Sequence, residues 1–319
     1  MKKIVLITVS LILTLNSFAQ KDTAYFKDGT IIPFEILYDD PSHLPKWEVD
    51  INFFTFMLVS EGALCMQLRP SYKIDDKMYV DFRLTVPYTK GLDQSTSNYK
   101  EISRLSIDLT PQFHYKLFTV IQHKDRTLTL KNDGSTAYKL ERVRNFGRNL
   151  YVDAGFNYFQ SNLNRYLTNV NDDQLQDHFL GGYSSTSISG GLTYTKTESY
   201  KVKKTEGSFT NWNRIKWYTT FNYALSESKD IYNVVIDGSN SINTTRELAD
   251  IDELDGVNFK GKFNYRVGFD LTFGMKKNIP FHFGFQFGSI PFYEDNKGKP
   301  LTSNSIIMFR LGFGIVERL

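Results

Sequence analysis

The chain has 319 residues and a mass of 36.9 kDa, with 38 basic residues, 35 acidic residues and a formal net charge of +3. Aromatic residues make up 15% of it, yet only 41% is hydrophobic and the mean hydropathy is -0.35. This composition excludes a bundle of membrane helices, which needs several apolar runs of about 20 residues. It also excludes disorder, because so many aromatic side chains can bury a large surface. The small net charge gives no reason to expect a nucleic-acid partner.

Residues 1–19 have the features of a secretory signal peptide. Two lysines precede an apolar run, and Ser17-Phe18-Ala19 supplies the small residues that signal peptidase requires. The apolar run is short for a membrane anchor, which is the alternative, and no basic stop-transfer cluster follows it. Cys65 is the only cysteine of the chain, which excludes an intramolecular disulfide and argues against a lipoprotein leader. We therefore predict export through a leader cleaved after Ala19.

Residues 20–45 form a separate N-terminal segment. Asp28-Gly29 lies between two short runs of strand-forming residues, which is a hairpin signal, and Pro41 and Pro45 separate this hairpin from the next strand. We predict a small periplasmic hairpin or plug. A short flexible segment ahead of the first long strand is the alternative.

From residue 46 onward, apolar residues occupy every second position in ten successive segments, which is typical of strands with two unlike faces. The clearest is residues 281–288, where four phenylalanines alternate with His, Gly, Gln and Gly. Most segments exceed the usual five or six residues of globular strands and reach the roughly 9–11 with which a tilted strand crosses a bilayer. The predicted strands span residues 48–58, 63–74, 78–89, 104–117, 148–160, 185–197, 213–226, 262–276, 280–292 and 304–317.

The two faces of these strands differ in charge. One face carries charged residues in mid-strand together with glycines such as Gly268 and Gly284, which would weaken a solvent-facing strand but make room inside a narrow barrel. We therefore predict a closed barrel with the charged face inside; a half-buried sandwich sheet is the alternative. The predicted lumen charge network comprises Arg69, Asp81, Arg83, Asp153, Arg266, Asp270 and Arg310. The predicted lipid-facing residues are Phe269, Phe273, Phe283, Phe285, Phe309 and Phe313.

The predicted connections are short at one end of the barrel and long at the other, as in bacterial outer-membrane barrels. Long outer loops are predicted at residues 161–184 and 227–261, and Tyr183 fits an interfacial aromatic girdle. Residues 119–146 break the pattern because they lie on the short-turn side and contain an Asp-Gly hairpin signal. They predict either a periplasmic hairpin insertion or two further strands, which would raise the strand count from ten to twelve.

Together these features resemble the outer-membrane β-barrel proteins of Gram-negative bacteria, over roughly residues 46–319. The resemblance rests on the leader, the alternating strands and residues 306–315, which are similar to the terminal strand read by the barrel-assembly machinery. It implies an all-β fold, an antiparallel up-and-down transmembrane barrel in the cell outer membrane. The lipid bilayer and that machinery are its implied partners. The resemblance is architectural and carries over no catalytic residue.

No motif predicts catalysis, a cofactor or a metal. The acidic residues at 250–255 fail the calcium-loop pattern, because Leu254 stands where the third ligand should be. Asp177-His178 could supply half of a hydrolase His-Asp couple, but neighbours on a strand point in opposite directions. We predict a non-enzymatic structural or interaction role in the cell envelope, with a protein or glycan partner at the outer loops. A narrow porin-like channel is the alternative, and a hydrolase is the remote one.

Overall fold

The computed structural model describes residues 19–38, 45–59, 62–88, 107–132, 137–165, 176–204, 207–236, 242–247, 258–274, 279–294 and 304–316. Of the predicted leader, only Ala19 is among them. Within these ranges, no helix is long and apolar enough to cross a bilayer. The strands are β1 (Ala19–Tyr25), β2 (Ile31–Tyr38), β3 (Trp47–Leu58), β4 (Gly62–Lys73), β5 (Met78–Pro87), β6 (Ile107–Asn132), β7 (Ala137–Arg165), β8 (Gln176–Lys204), β9 (Gly207–Ile236), β10 (Ile242–Glu247), β11 (Asn258–Lys260), β12 (Phe263–Gly274), β13 (Pro280–Ser289), β14 (Phe292–Glu294) and β15 (Ser305–Val316).

Ten of these strands form a closed barrel. Hydrogen-bonded neighbours follow one another in the order β3, β4, β5, β6, β7, β8, β9, β12, β13 and β15, and β15 pairs with β3 to close the ring. Every neighbouring pair is antiparallel. The predicted all-β, up-and-down barrel is therefore confirmed, with ten strands in the wall and not twelve.

The two-residue period of each strand decides which side chains face the interior. On β12, Arg266 and Thr272 are buried, whereas Tyr265 and Phe273 on the alternate positions are exposed. The burial pattern of β15 repeats this strict alternation from Ser305 onward. The barrel thus has a polar interior and an apolar outward face, the reverse of a water-soluble barrel.

We name the barrel end that holds Trp47 and Lys73 the hairpin end, and the opposite end the loop end. At the hairpin end, β6 and β7 run past the wall as a two-stranded ribbon as far as the ladder pair Asn132↔Ala137. Residues 119–146 therefore extend two existing wall strands and insert no new ones. Beyond Tyr115, β6 no longer pairs with β5, because β5 begins at Met78, which lies opposite Tyr115.

The N-terminal hairpin also lies at the hairpin end. β1 and β2 turn at Gly29, where φ is 83°, a conformation that favours glycine. β2 then pairs with the extension of β8, from Tyr38↔Tyr200 to Phe34↔Lys204. We name residues 19–38, 119–146 and 199–212 the hairpin-end module. It has its own small core, formed by Ala24, Ile32, Phe34, Leu130 and Val202 with Phe26, Tyr138 and Leu140 packed against it.

At the loop end, strands extend into both segments that the sequence predicts as loops. β7 reaches Arg165, β8 begins at Gln176 and β9 continues to Ile236, where it pairs with β10. The alternation of hydropathy fades in these extensions because a strand beyond the wall no longer separates two different environments. Residues 166–175 and 248–257 lie outside the described residues.

Candidate functional site

Ion pairs that join distant strands cross the middle of the barrel. Arg69 on β4 binds Asp81 (Nη2–Oδ2 2.6 Å) and also Asp270 on β12 (Nη1–Oδ2 2.8 Å). Arg310 on β15 binds the other oxygen of Asp270 (Nη2–Oδ1 2.8 Å). Four residues of the predicted lumen charge network therefore lie in one connected cluster.

The same cluster includes Lys216 and His114, which the sequence analysis did not assign to the network. Lys216 Nζ lies 3.2 Å from Asp81 Oδ2, and His114 Nε2 lies 3.4 Å from the same oxygen. His114 Nδ1 lies 2.6 Å from Asp153 Oδ1, which brings a fifth predicted residue into the network. Both residues occupy inward positions of the strand period, which is the signal that places polar and charged residues in the interior.

Arg83, the sixth predicted residue, has a different environment. Its Nη1 donates to Gln286 Oε1 at 3.1 Å, and Tyr218 donates its hydroxyl proton to the same oxygen at 2.8 Å. Arg310 Nη2 in turn donates to the Tyr218 hydroxyl at 2.8 Å. These contacts link Arg83 to the central cluster through neutral side chains.

Arg266, the seventh predicted residue, forms a separate pair nearer the loop end. Its Nη1 lies 2.5 Å from Asp108 Oδ2, and Asn157 donates to Asp108 Oδ1 at 2.7 Å. The Arg266 guanidinium carbon lies 5.8 Å from the centre of the Phe159 ring. Phe159 marks the beginning of an apolar region.

An apolar cluster, which we name the cap, closes the interior at the loop end. Tyr183 donates to the Pro291 carbonyl at 2.8 Å and its ring lies 5.7 Å from that of Tyr293. Tyr183 is fully buried here, so its prediction as a girdle residue is wrong. Tyr183 on β8 and Pro291, which follows β13, thus meet at this end of the interior although β8 and β13 are not neighbours in the wall. The buried members of the cap are Met57, Val59, Ala63, Cys65, Phe159, Tyr183, Ile290, Tyr293, Ile306 and Met308.

Charged side chains also fill the hairpin end of the interior. Arg214 binds both carboxylate oxygens of Glu48 (2.5 and 2.7 Å), and His282 Nε2 lies 2.8 Å from Asp50 Oδ1. His282 Nδ1 lies 3.0 Å from Thr272 Oγ1. The ligand atoms of Glu48, Asp50 and His282 lie within 4.8 Å of one another, a spacing that suits a metal ion. Both oxygens of Glu48 are already taken by Arg214, so this set fits a metal poorly.

Glycines leave room for the central ion pairs. Gly284 on β13 is directly opposite Asp270 on one neighbouring strand and Arg310 on the other. A Cβ at this position would lie 2.5 Å from Asp270 Oδ1 and 2.7 Å from Arg310 Nε. A Cβ on Gly268 would collide with the Tyr218 hydroxyl. At these two positions, therefore, the interior has no room for a methyl group.

The six predicted lipid-facing phenylalanines lie on the outward face of β12, β13 and β15. Phe273, Phe309 and Phe313 are exposed; Phe273, for example, retains 46% of its surface. Phe269 and Phe283 are half-buried. Phe285 is half-buried because its ring packs against Phe309 at 4.9 Å and Phe269 at 6.1 Å. Phe269, Phe283, Phe285 and Phe309 thus form one aromatic patch of contacting rings.

A comparison with protein-family models finds no match for this chain, and a comparison with curated proteins finds none. The function is therefore inferred from the geometry of the interior and of the outward face.

Proposed function

We propose that this protein is an integral outer-membrane barrel with a sealed lumen, which holds an interaction module at the membrane and neither conducts solutes nor catalyses a reaction. The observation that carries the proposal is the set of ion pairs between nearly opposite strands of the wall. Arg69 on β4 reaches Asp270 on β12, and Arg214 on β9 reaches Glu48 on β3. Side chains that meet across the lumen occupy the path that a solute would need.

The outward face supports a membrane location. On β12, apolar residues face outward from Phe263 to Phe273, which is about 33 Å along the strand at about 3.3 Å per residue. At a tilt of about 40° this is about 25 Å, the height of the apolar band of outer-membrane barrels. An apolar surface that encircles a protein in water would be a strong liability for aggregation.

The hairpin end supports a closed lumen. The cavity that opens there, lined by Glu48, Asp50 and Arg214 among others, has a volume of about 30 Å³. A cavity of that size holds only a few water molecules. Opening a wider path would require separating buried ion pairs, and each lost partner leaves an uncompensated charge at a cost of about 3–5 kcal/mol.

The hairpin-end module supports the interaction role. β1 is the last strand of its sheet, and exposed strand edges are common sites for pairing with another chain. The segments of the predicted contact at the outer loops lie partly outside the described residues, at 166–175, 237–241 and 248–257.

Reconstitution in planar bilayers tests the sealed lumen. The purified, full-length protein should give no stepwise conductance, although its mobility on a gel should change on boiling as expected of a folded barrel. Regular conductance steps from the wild-type protein would refute the sealed lumen and favour the channel. A soluble periplasmic pool without protein in the outer-membrane fraction would refute the membrane location.

Site-specific photo-crosslinking in cells tests the interaction role. A photoreactive residue at Tyr25, which is 76% exposed in the module, should give a discrete protein adduct. The same residue at Phe313, on the outward face of the wall, is the matched control and should give none. Equal protein adducts at both positions, or none at Tyr25, would contradict the assignment of the module as the contact surface.

A further inference from the structure

Arg83 is a buried cation that contacts no carboxylate among the residues that the structure describes. It lies on β5 in the middle of the barrel and only 3% of its surface is exposed. Its described contacts are one hydrogen bond to neutral Gln286 and an approach of the guanidinium carbon to 5.2 Å from the Tyr218 ring. Within the described part of the chain, its Nε–H has no hydrogen-bond acceptor.

The carboxylates nearest to this layer are already shared. Asp81 binds both Arg69 and Lys216, and Asp270 binds both Arg69 and Arg310. Each of these carboxylates therefore balances parts of two cations. Neither carboxylate therefore supplies a full negative charge to balance Arg83.

Donors also outnumber acceptors around Gln286. Its Oε1 receives hydrogen bonds from Arg83, Arg310 and Tyr218, at 3.1, 3.5 and 2.8 Å. The Arg310 guanidinium carbon lies 5.9 Å from the same Tyr218 ring that Arg83 approaches. The Nε–H of Arg310, like that of Arg83, lacks an acceptor among the described residues. Two guanidinium groups thus surround one ring and one neutral oxygen.

We propose that Arg83 and Arg310 bind a monovalent inorganic anion of the size of chloride in the middle of the barrel. An arginine cannot relieve burial by losing its proton, because its guanidinium stays charged in proteins. A buried charge without a counter-charge is costly, and a small anion supplies both the missing charge and the missing acceptor. Charge-assisted bonds from guanidinium N–H groups are the usual means of holding such an anion.

The site concerns only the barrel interior. It requires neither the membrane location nor a partner at the module, so the tests of the anion site and of the proposed function are independent. Because the interior is closed, we expect the anion to be enclosed during folding. The test therefore refolds the protein separately in each salt.

The experiment measures the unfolding midpoint of the full-length protein in detergent, refolded in sodium chloride, sodium bromide or sodium gluconate at equal ionic strength. Chloride and bromide should raise the midpoint relative to the bulky gluconate. The rise should be about 5 °C once the halide exceeds its dissociation constant by about 100-fold. Equal midpoints in chloride and gluconate would overturn the proposal, since screening alone would then account for the salt dependence.

Two variants make the test specific. Arg83→Gln should lose the difference between halide and gluconate. Arg214→Gln, which removes another interior arginine but one paired with Glu48, should lower the midpoint in every salt and keep that difference. An undiminished halide effect in folded Arg83→Gln would overturn the site.

If Arg83→Gln does not fold, crystals of the wild-type protein grown in bromide provide the test. An anomalous-scattering peak within hydrogen-bond distance of Arg83 is expected. Its absence there, with or without peaks elsewhere, would overturn the proposal.

Discussion

Replacing Gly284 by alanine tests how tightly the interior network is packed. A Cβ on residue 284 would lie 2.5 Å from Asp270 Oδ1, whereas an ordinary contact needs about 3.5 Å. The Asp270 carboxylate or the Arg310 guanidinium must therefore retreat by about 1 Å, which strains the 2.8 Å ion pair between them. Overpacking of this kind costs about 1–3 kcal/mol, and the conformational gain from alanine in a strand returns only about 0.5–1 kcal/mol. The expected net loss is about 1–2 kcal/mol.

Gly190→Ala is the matched control, because it makes the same change on an outward-facing strand position. Its nearest neighbour would be the Asp153 carbonyl oxygen at 3.7 Å, which is an ordinary contact. The assay follows the folded fraction, seen as the fast unheated gel band, against urea in a fixed detergent. Gly284→Ala should unfold at lower urea than wild type, and Gly190→Ala at equal or higher urea. If both variants unfold together with the wild-type protein, the interior is looser than the distances imply and the reasoning fails.

Two further predictions concern the outward face and the hairpin-end module. Phe269→Arg should destabilise folding into lipid vesicles by about 2–4 kcal/mol in a urea titration, whereas Tyr25→Arg in the module should have little effect; equal losses would remove the case for a lipid-facing aromatic patch. The Thr30 backbone N–H and the Tyr138 hydroxyl, which donate to Asp28 at 3.0 and 2.8 Å, hold the pKa of that carboxyl below its usual value of 3.8. Because the folded-state pKa is lowered, this stabilisation is present above about pH 3.8 and is lost as the pH falls through the folded-state value. The protection factors of amides in the N-terminal hairpin, which are corrected for the intrinsic pH dependence of exchange, should fall over that acid range in the wild type. They should fall less in Tyr138→Phe, which keeps the larger contribution from the Thr30 N–H, and an unchanged pH dependence in the variant would contradict the contribution of Tyr138.

The wall of the barrel could be predicted from sequence because its strands separate two different environments. Each of the ten predicted segments overlaps one wall strand, and alternation alone placed Arg266 and Arg310 among the inward residues. The extensions of β6 to β9 could not be predicted in the same way. Beyond the wall both faces of a strand meet similar surroundings, so the period-two pattern weakens although the hydrogen-bonded ladder continues.

The ion-pair partners within the interior also could not be predicted from the sequence. Alternation shows that a residue faces inward, but the partner depends on the height of each residue along the barrel, which comes from the register of all the intervening ladders. Asp270 and Arg69 are on strands far apart in the chain and meet only because the ring closes at β15 and β3. The central role of His114 was missed for the same reason. Its contact with Asp81 and Asp153 depends on three separate strands.

The interior ion pairs specify the register of the strands, which the apolar outward face does not. A strand that slips by two residues keeps its apolar positions outward and its polar positions inward, so the alternation of the two faces hardly distinguishes the correct register from the slipped one. Such a slip moves a side chain by about 6.6 Å along the strand, which breaks every direct ion pair that it makes. A slip of β12 would separate Asp270 from Arg69 and Arg310, and Arg266 from Asp108, in one step. The network therefore fixes the register of the barrel, and this explains why charge is concentrated inside a protein whose outward face is mostly apolar.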